Sequence, residues 1–102
     1  MSASDESLLD QAWSLSPSVA LRPEPFGALA YHFGNRKLTF LKRPELVRVV
    51  QGLVEQPDVR SALVAAGIPI VQHEAYATAL RGLAATDMIR ARPRAVESET
   101  VA

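Results

Sequence analysis

At 102 residues with 48% hydrophobic side chains, the chain is long enough for one small domain with tails and too apolar for wholesale disorder. Eleven basic residues balance eleven acidic ones, so no global field draws the protein to phosphate backbones, which argues against a dedicated nucleic-acid binder. The absence of cysteine removes disulfide scaffolds, thiolate metal sites and cysteine nucleophiles together, and fits a cytoplasmic protein.

In chain order, the opening MSASDESLLDQAW is acidic and polar with a single two-leucine pair, which is not a signal-peptide pattern. Residues 1–12 are expected to be a flexible lead-in. No apolar run approaches the roughly 20 residues of a membrane helix. Trp13-Ser14-Leu15 and Val19-Ala20-Leu21 alternate around Ser16-Pro17-Ser18, and together predict one first strand interrupted at Pro17, with Trp13 covering one end of the core. Arg22-Pro23-Glu24-Pro25 reads as a rigid connector that stops that strand, because its two prolines fix φ and remove two donors.

Residues 26–42 read as a hairpin. Its first arm carries Phe26, Ala28 and Ala30 on one face and Leu29, Tyr31 and Phe33 on the other. Gly34 and Asn35 supply the positive φ of a tight turn. The second arm, Lys37-Leu38-Thr39-Phe40-Leu41-Lys42, sets Leu38 and Phe40 on one side. From Pro44 the apolar period lengthens from two to about 3.6. Leu46, Val49, Val50, Leu53 and Val54 mark one face of a first helix, opened by Pro44 and Glu45 and ended at Gln56-Pro57. Asp58 caps a second helix with Val59, Ala62, Leu63 and Ala66 inward and Gly67 as its stop. A third helix over residues 71–86 carries a stripe of Tyr76, Ala79, Leu80 and Leu83, and Met88-Ile89-Arg90 form a short terminal strand. The tail, residues 93–102, is expected to be disordered.

This order predicts an α+β, winged-helix-like domain over residues 13–92, a three-stranded antiparallel sheet followed by a three-helix bundle (β-β-β-α-α-α). The strand 37–42 is expected at a sheet edge, whose unpaired N–H and C=O groups can template another chain. Such an edge equally allows a homodimer through strand pairing.

The run Val19-Ala20-Leu21-Arg22-Pro23-Glu24-Pro25-Phe26-Gly27-Ala28-Leu29, followed by Tyr31-His32-Phe33-Gly34 and Arg36-Lys37-Leu38-Thr39-Phe40-Leu41, resembles the mycofactocin precursor-peptide chaperones. These belong to the wider group of peptide-recognition elements typified by the pyrroloquinoline quinone peptide chaperone. The likeness covers residues 13–90, is most specific at Arg-Pro-Glu-Pro-Phe-Gly, and in the helical half is one of pattern more than of residues. It implies a non-catalytic adaptor, with no cofactor of its own, that binds the acidic leader of a ribosomally made precursor. The adaptor presents that precursor to a radical S-adenosylmethionine maturase, to which the iron–sulfur chemistry belongs. It also implies that the leader adds as a strand along Lys37, Leu38, Thr39, Phe40, Leu41 and Lys42, beside a trough lined from the third helix by Tyr76, Ala79, Leu80 and Leu83. Each of these apolar residues fits a place in the core equally well.

Arg36, Lys37, Lys42, Arg43 and Arg48 surround the proposed edge, with Glu45 the acid among them. They suit either an acidic peptide or a solvated edge kept from aggregating by its lysines. The rival reading is a DNA-binding winged helix, in which the third helix enters the major groove. Against it, residues 58–86 hold only Arg60 and Arg81 as cations, offset by Asp58 and Glu74. For catalysis there is little. His73-Glu74 and the distant His32 match no metal-ligand spacing, and no glycine-rich phosphate loop or nucleophile motif occurs.

Overall fold

The computed structural model describes residues 8–92. The strands are β1 (Trp13–Leu15), β2 (Val19–Glu24), β3 (Gly27–His32), β4 (Leu38–Leu41) and, after the helices, β5 (Ile89–Ala91). Residues 8–10 are helical, and the helices that follow β4 are α1 (Pro44–Gly52), α2 (Val59–Ala65) and α3 (His73–Ala85), with 3₁₀ turns at Leu53–Glu55 and Ile70–Gln72. The class is α+β with antiparallel sheets, but the order is not the expected β-β-β-α-α-α. Four strands precede α1, one follows α3, and they form two sheets, β2-β3-β4 and β1-β5.

The single interrupted first strand is therefore corrected to two strands in different sheets. β1 pairs with β5, Leu15 opposite Ile89, while β2 pairs with β3, Val19 opposite His32. The segment around Pro17 is a turn: Val19 N–H donates to Ser16 C=O (3.0 Å), and Ser18 N–H donates to Ser16 Oγ (3.1 Å). Ser16 N–H meanwhile donates to Met88 C=O (2.9 Å), tying the turn to the other end of the chain.

β2 also runs on through the expected connector, to Glu24. Phe33 N–H donates to Ser18 C=O (2.8 Å), which fixes the alternation of the ladder. Ala20 and Arg22 exchange bonds with β3, whereas the nitrogen of Pro23, opposite Ala28, faces away from it. An edge strand tolerates proline at such a position. Pro25 and Phe26 form the turn between β2 and β3, so Phe26 does not share a face with Ala28 and Ala30. Gly27 then has φ 150°, and a Cβ there would lie 2.0 Å from the Leu41 carbonyl oxygen. No other residue fits between these backbones.

In the β3–β4 turn, the positive φ falls on Arg36 (66°) rather than on Gly34 or Asn35. Gly34 instead leaves room for an imidazole: a Cβ on it would meet His32 Cε1 at 2.9 Å. Asn35 acts through its side chain, as described below.

The helices follow their capping residues. Asp58 Oδ1 accepts from Ser61 N–H (2.8 Å) at the start of α2. At its end, Gly67 (φ 81°) donates to Val64 C=O and Ile68 N–H to Leu63 C=O, a Schellman closure. α3 closes the same way, Asp87 N–H to Ala84 C=O and Met88 N–H to Leu83 C=O, with Asp87 (φ 64°) where glycine is usual. Val54, expected inward, is 57% exposed: the chain tightens to a 3₁₀ turn at Leu53, and the faster rotation carries Val54 out of the stripe.

The core joins Val19, Ala28, Ala30 and Leu41 of the sheet to Val49, Val50, Leu53, Val59, Leu63, Leu80 and Ile89, with Trp13 packed against it. Each large aliphatic side chain so enclosed contributes about 1.5–3 kcal/mol. Leu8 and Leu9 are also buried, Asp10 pairs with Arg60 (3.0 Å), and Val59 N–H donates to Gln11 C=O (3.0 Å). The expected flexible lead-in is thus corrected from Leu8 onward. Its first part, residues 1–7, and the tail at 93–102 lie outside the described residues.

Candidate functional site

β4 is an end strand of the three-stranded sheet. Its sequence sorts four residues onto two faces. Leu41 is buried and Thr39 half-buried on the core side, where α1 packs, while Leu38 and Phe40 are 57% and 58% exposed on the other. The backbone sorts them too. His32 N–H donates to Lys37 C=O (3.0 Å), and Tyr31 lies opposite Leu38. By the antiparallel alternation, Thr39 and Leu41 bond to β3, and the N–H and C=O groups of Leu38 and Phe40 point away from the sheet. The residues with the most exposed side chains are those with unclaimed backbone groups.

Lys37 and Lys42 flank this edge, with Arg36 and Arg43 next to them in the chain, while Arg48, expected beside the edge, lines a groove between α1 and α2 with Gln51, Glu55 and Ala62; all five cations are exposed. None forms an ion pair among the described residues, whereas Arg22, Arg60 and Arg90 pair with Glu24, Asp10 and Asp87.

The predicted helical residues separate. Tyr76, Leu80 and Leu83 are 5%, 0% and 5% exposed and belong to the core, so the lining expected of them is corrected: their apolar surface is spent on the protein itself. Ala79 is exposed, and with Ala75, Thr78 and Gly82 it forms a flank of small residues on α3. Helical spacing groups residues on a face without saying what that face meets.

Sequence reasoning missed the clamp that holds the head of β4. Buried His32 accepts two backbone N–H bonds at Nδ1, from Gly34 (2.9 Å) and Asn35 (3.1 Å), so Nε2 carries the proton and donates to Asp87 Oδ2 (2.8 Å). Asn35 accepts from Lys37 N–H (2.9 Å) and donates to the Thr86 carbonyl (3.0 Å). The end of α3 is thereby fastened to the turn that leads into β4. The Arg90 guanidinium, and then His32, hold the Asp87 carboxyl below the ordinary carboxylate range. Partners 55 residues apart leave no local signal. Arg92 was missed likewise: its guanidinium donates to the carbonyls of Leu53, Val54 and Gln56, closing the 3₁₀ turn after α1.

His73 Nε2 bonds the Ile68 carbonyl (2.9 Å), closing the joint between α2 and α3. Both histidines are therefore engaged in structure. Among the described residues no cluster of three His, Asp or Glu side chains is placed to hold a metal, and no helix is long and apolar enough to cross a membrane. An open groove of about 480 Å³ between β1, β2 and α1, lined by Leu15, Pro17, Val50 and Val54 among others, contains no charged side chain.

The chain matches the peptide chaperone MftB family over residues 12–90. It is 52% identical over 80 residues to the peptide chaperone MftB of Mycobacterium ulcerans, covering 78% of this chain and 73% of that one. It is 51% identical, with the same coverage, to that of Mycobacterium tuberculosis. With that of Mycolicibacterium smegmatis it shares 52% identity over 78% of each chain. No solved structure gives a significant match. The family match runs from β1 into β5 through α1, α2 and α3, the β4 edge included, and the chain belongs to the peptide chaperone MftB family of non-catalytic accessory proteins.

Proposed function

We propose that the protein binds the acidic leader of a ribosomally synthesised precursor peptide of the mycofactocin type as an added strand along β4, and presents it to a radical S-adenosylmethionine maturase. The observation that carries this reading is the outward set of backbone donors and acceptors at Leu38 and Phe40, on an edge that no described strand covers. An extended peptide satisfies those groups by pairing in register, with alternate side chains meeting Leu38 and Phe40 on the outer face, and of the expected helical contacts Ala79 is the one with exposed surface to offer. The cations at Arg36, Lys37, Lys42 and Arg43, without ion pairs among the described residues, favour a leader with acidic residues. The reactive chemistry stays with the maturase, and the chaperone contributes binding and orientation, in the cytoplasm, from a domain that extends the expected residues 13–92 back to Leu8.

Titration of isotopically labelled protein with a synthetic acidic leader, with a scrambled peptide as control, tests this. Saturable binding with amide shifts centred on residues 37–42 supports it. No saturable binding, or shifts confined to α2 and the Ile70–Gln72 turn, contradicts it. A pairing of β4 with a second copy competes for the same groups, so dimer and peptide complex are mutually exclusive.

A further inference from the structure

On the face of the three-stranded sheet that turns away from the helices, the part formed by β3 and β4 is apolar and uncovered by any described element, while β2 carries Arg22 and Glu24 there, opposite Leu29 and Gly27. Phe26, Phe33, Leu38 and Phe40 on it are 39%, 61%, 57% and 58% exposed, with Leu29 and Tyr31 half-buried between them. The register makes this one patch, Leu29 opposite Phe40 and Tyr31 opposite Leu38. Edge-to-face ring contacts close its two ends, Phe26 on Phe40 (5.8 Å) and Phe33 on Tyr31 (5.2 Å). Six apolar side chains on β3, β4 and their flanking turns thus form one continuous patch, four of them more than a third exposed. An apolar patch of that size on a small monomer is the mark of an interaction surface.

We infer that this outer face is the docking surface for a second protein that carries its own apolar patch inside an acidic rim, namely the enzyme that receives the peptide. The inference rests on the peptide-chaperone reading for the identity of that enzyme. Charge selects the kind of occupant. Arg36 and Lys37 stand at one end of β4, and Lys42 and Arg43 at the other, all exposed and without ion pairs among the described residues. A second copy docked through the same face by a twofold axis sets this basic rim against itself, which disfavours a homodimer there. An acidic rim on a different protein neutralises it. Leu38 and Phe40 belong both to the patch and to the open edge, so a strand added at β4 lies directly beside the docked enzyme. One short strand then brings the two partners together without the chaperone changing shape.

The double variant Phe26→Ser/Phe33→Ser tests this, because both rings lie outside the β4 edge. Its affinity for the purified maturase and for the synthetic leader is measured separately by calorimetry. The expected result is a loss of about tenfold or more in maturase affinity, the size of an aromatic anchor, with leader affinity unchanged. The single variant Phe33→Ser, at the most exposed of these rings, gives a smaller loss of the same kind and serves if the double variant fails to fold. Unchanged maturase affinity in a folded variant overturns the inference, as does wild-type protein that does not bind the maturase. Two other results also overturn it: wild-type binding to phosphatidylglycerol vesicles, or a wild-type dimer in sedimentation, that the variant abolishes while maturase affinity stays. If the wild type binds maturase but no leader, the strand-addition reading fails, and the variant's maturase affinity still decides the docking surface.

Discussion

The two edges of the three-stranded sheet are built differently. β2 closes one side with Pro23, whose nitrogen faces outward where an N–H donor would otherwise stand, and carries the Arg22–Glu24 ion pair (3.2 Å) beside it. β4 closes the other side with no proline between Leu38 and Leu41, outward donors at Leu38 and Phe40, and lysines only at its ends. Edge strands invite pairing with any exposed chain, and proline is one of the devices that prevents it. One edge is blunted and the other left open. Under the proposed function, the difference makes β4 the more open of the two places for a strand to add.

The predictions sharpen or break this contrast. Gly27→Ala has the largest expected effect, because its Cβ would meet the Leu41 carbonyl oxygen at 2.0 Å in a backbone region reserved for glycine. The combined overlap and strain cost about 2–5 kcal/mol. Urea denaturation should show that loss, and a stability within error of wild type would mean that β3 and β4 do not approach as described. Next comes Leu38→Pro, which removes one outward donor and leaves the ladder to β3 whole. Leader affinity should fall by about tenfold, the worth of a good hydrogen bond plus a lost side chain, with the far-ultraviolet spectrum retained. Undiminished affinity would place the peptide elsewhere.

Arg92→Ala is the control away from both edges. Losing the donors to the Leu53, Val54 and Gln56 carbonyls should cost about 1–3 kcal/mol of stability while leaving leader affinity alone. A matching fall in affinity would break the separation between stability and site.

A smaller effect is expected from the clamp. The folded-state carboxyl of Asp87 is depressed by Arg90 and His32, so its contribution is fully present above the unfolded value, about 4, and is lost as pH falls through the folded one. Thermal midpoints of wild type and Asp87→Asn should therefore differ near neutral pH and converge below about pH 4. A difference that persists at pH 3 would show that the carboxylate charge is not what matters. Asparagine is the right replacement because it tolerates the positive φ at this position.

Pro23→Val has the smallest expected effect on stability and the most informative one on association. It restores a donor to the closed edge, so sedimentation at rising concentration should show self-association absent from the wild type. A strictly monomeric variant would mean that Pro23 is not what closes β2.

Much of this was legible locally. The helix from Pro44, the cap at Asp58, the stop at Gly67 and the strand at residues 38–41 follow from spacing and turn chemistry that operate within a few residues. The second sheet was not legible as such. Trp13 finds Ala91 across nearly the whole domain, and three-residue strands carry too little pattern to announce a partner. The burial of Tyr76, Leu80 and Leu83 was not legible for a related reason: a helical stripe identifies an apolar face, but only the packing of Val59, Leu63 and Ile89 in the same core shows that this face is already covered. The positive φ at Arg36 was missed because Gly34 and Asn35 were needed for their lack of side chain and their amide, respectively, rather than for backbone freedom.

The most direct test of strand addition is amide hydrogen exchange at single-residue resolution, with and without saturating leader. In the free protein the Leu38 and Phe40 amides, facing outward, should exchange far faster than those of Thr39 and Leu41, which bond to β3. On adding leader, Leu38 and Phe40 should become protected while Thr39 and Leu41 change little. Saturable binding that leaves Leu38 and Phe40 exchanging at their free rates would contradict the account.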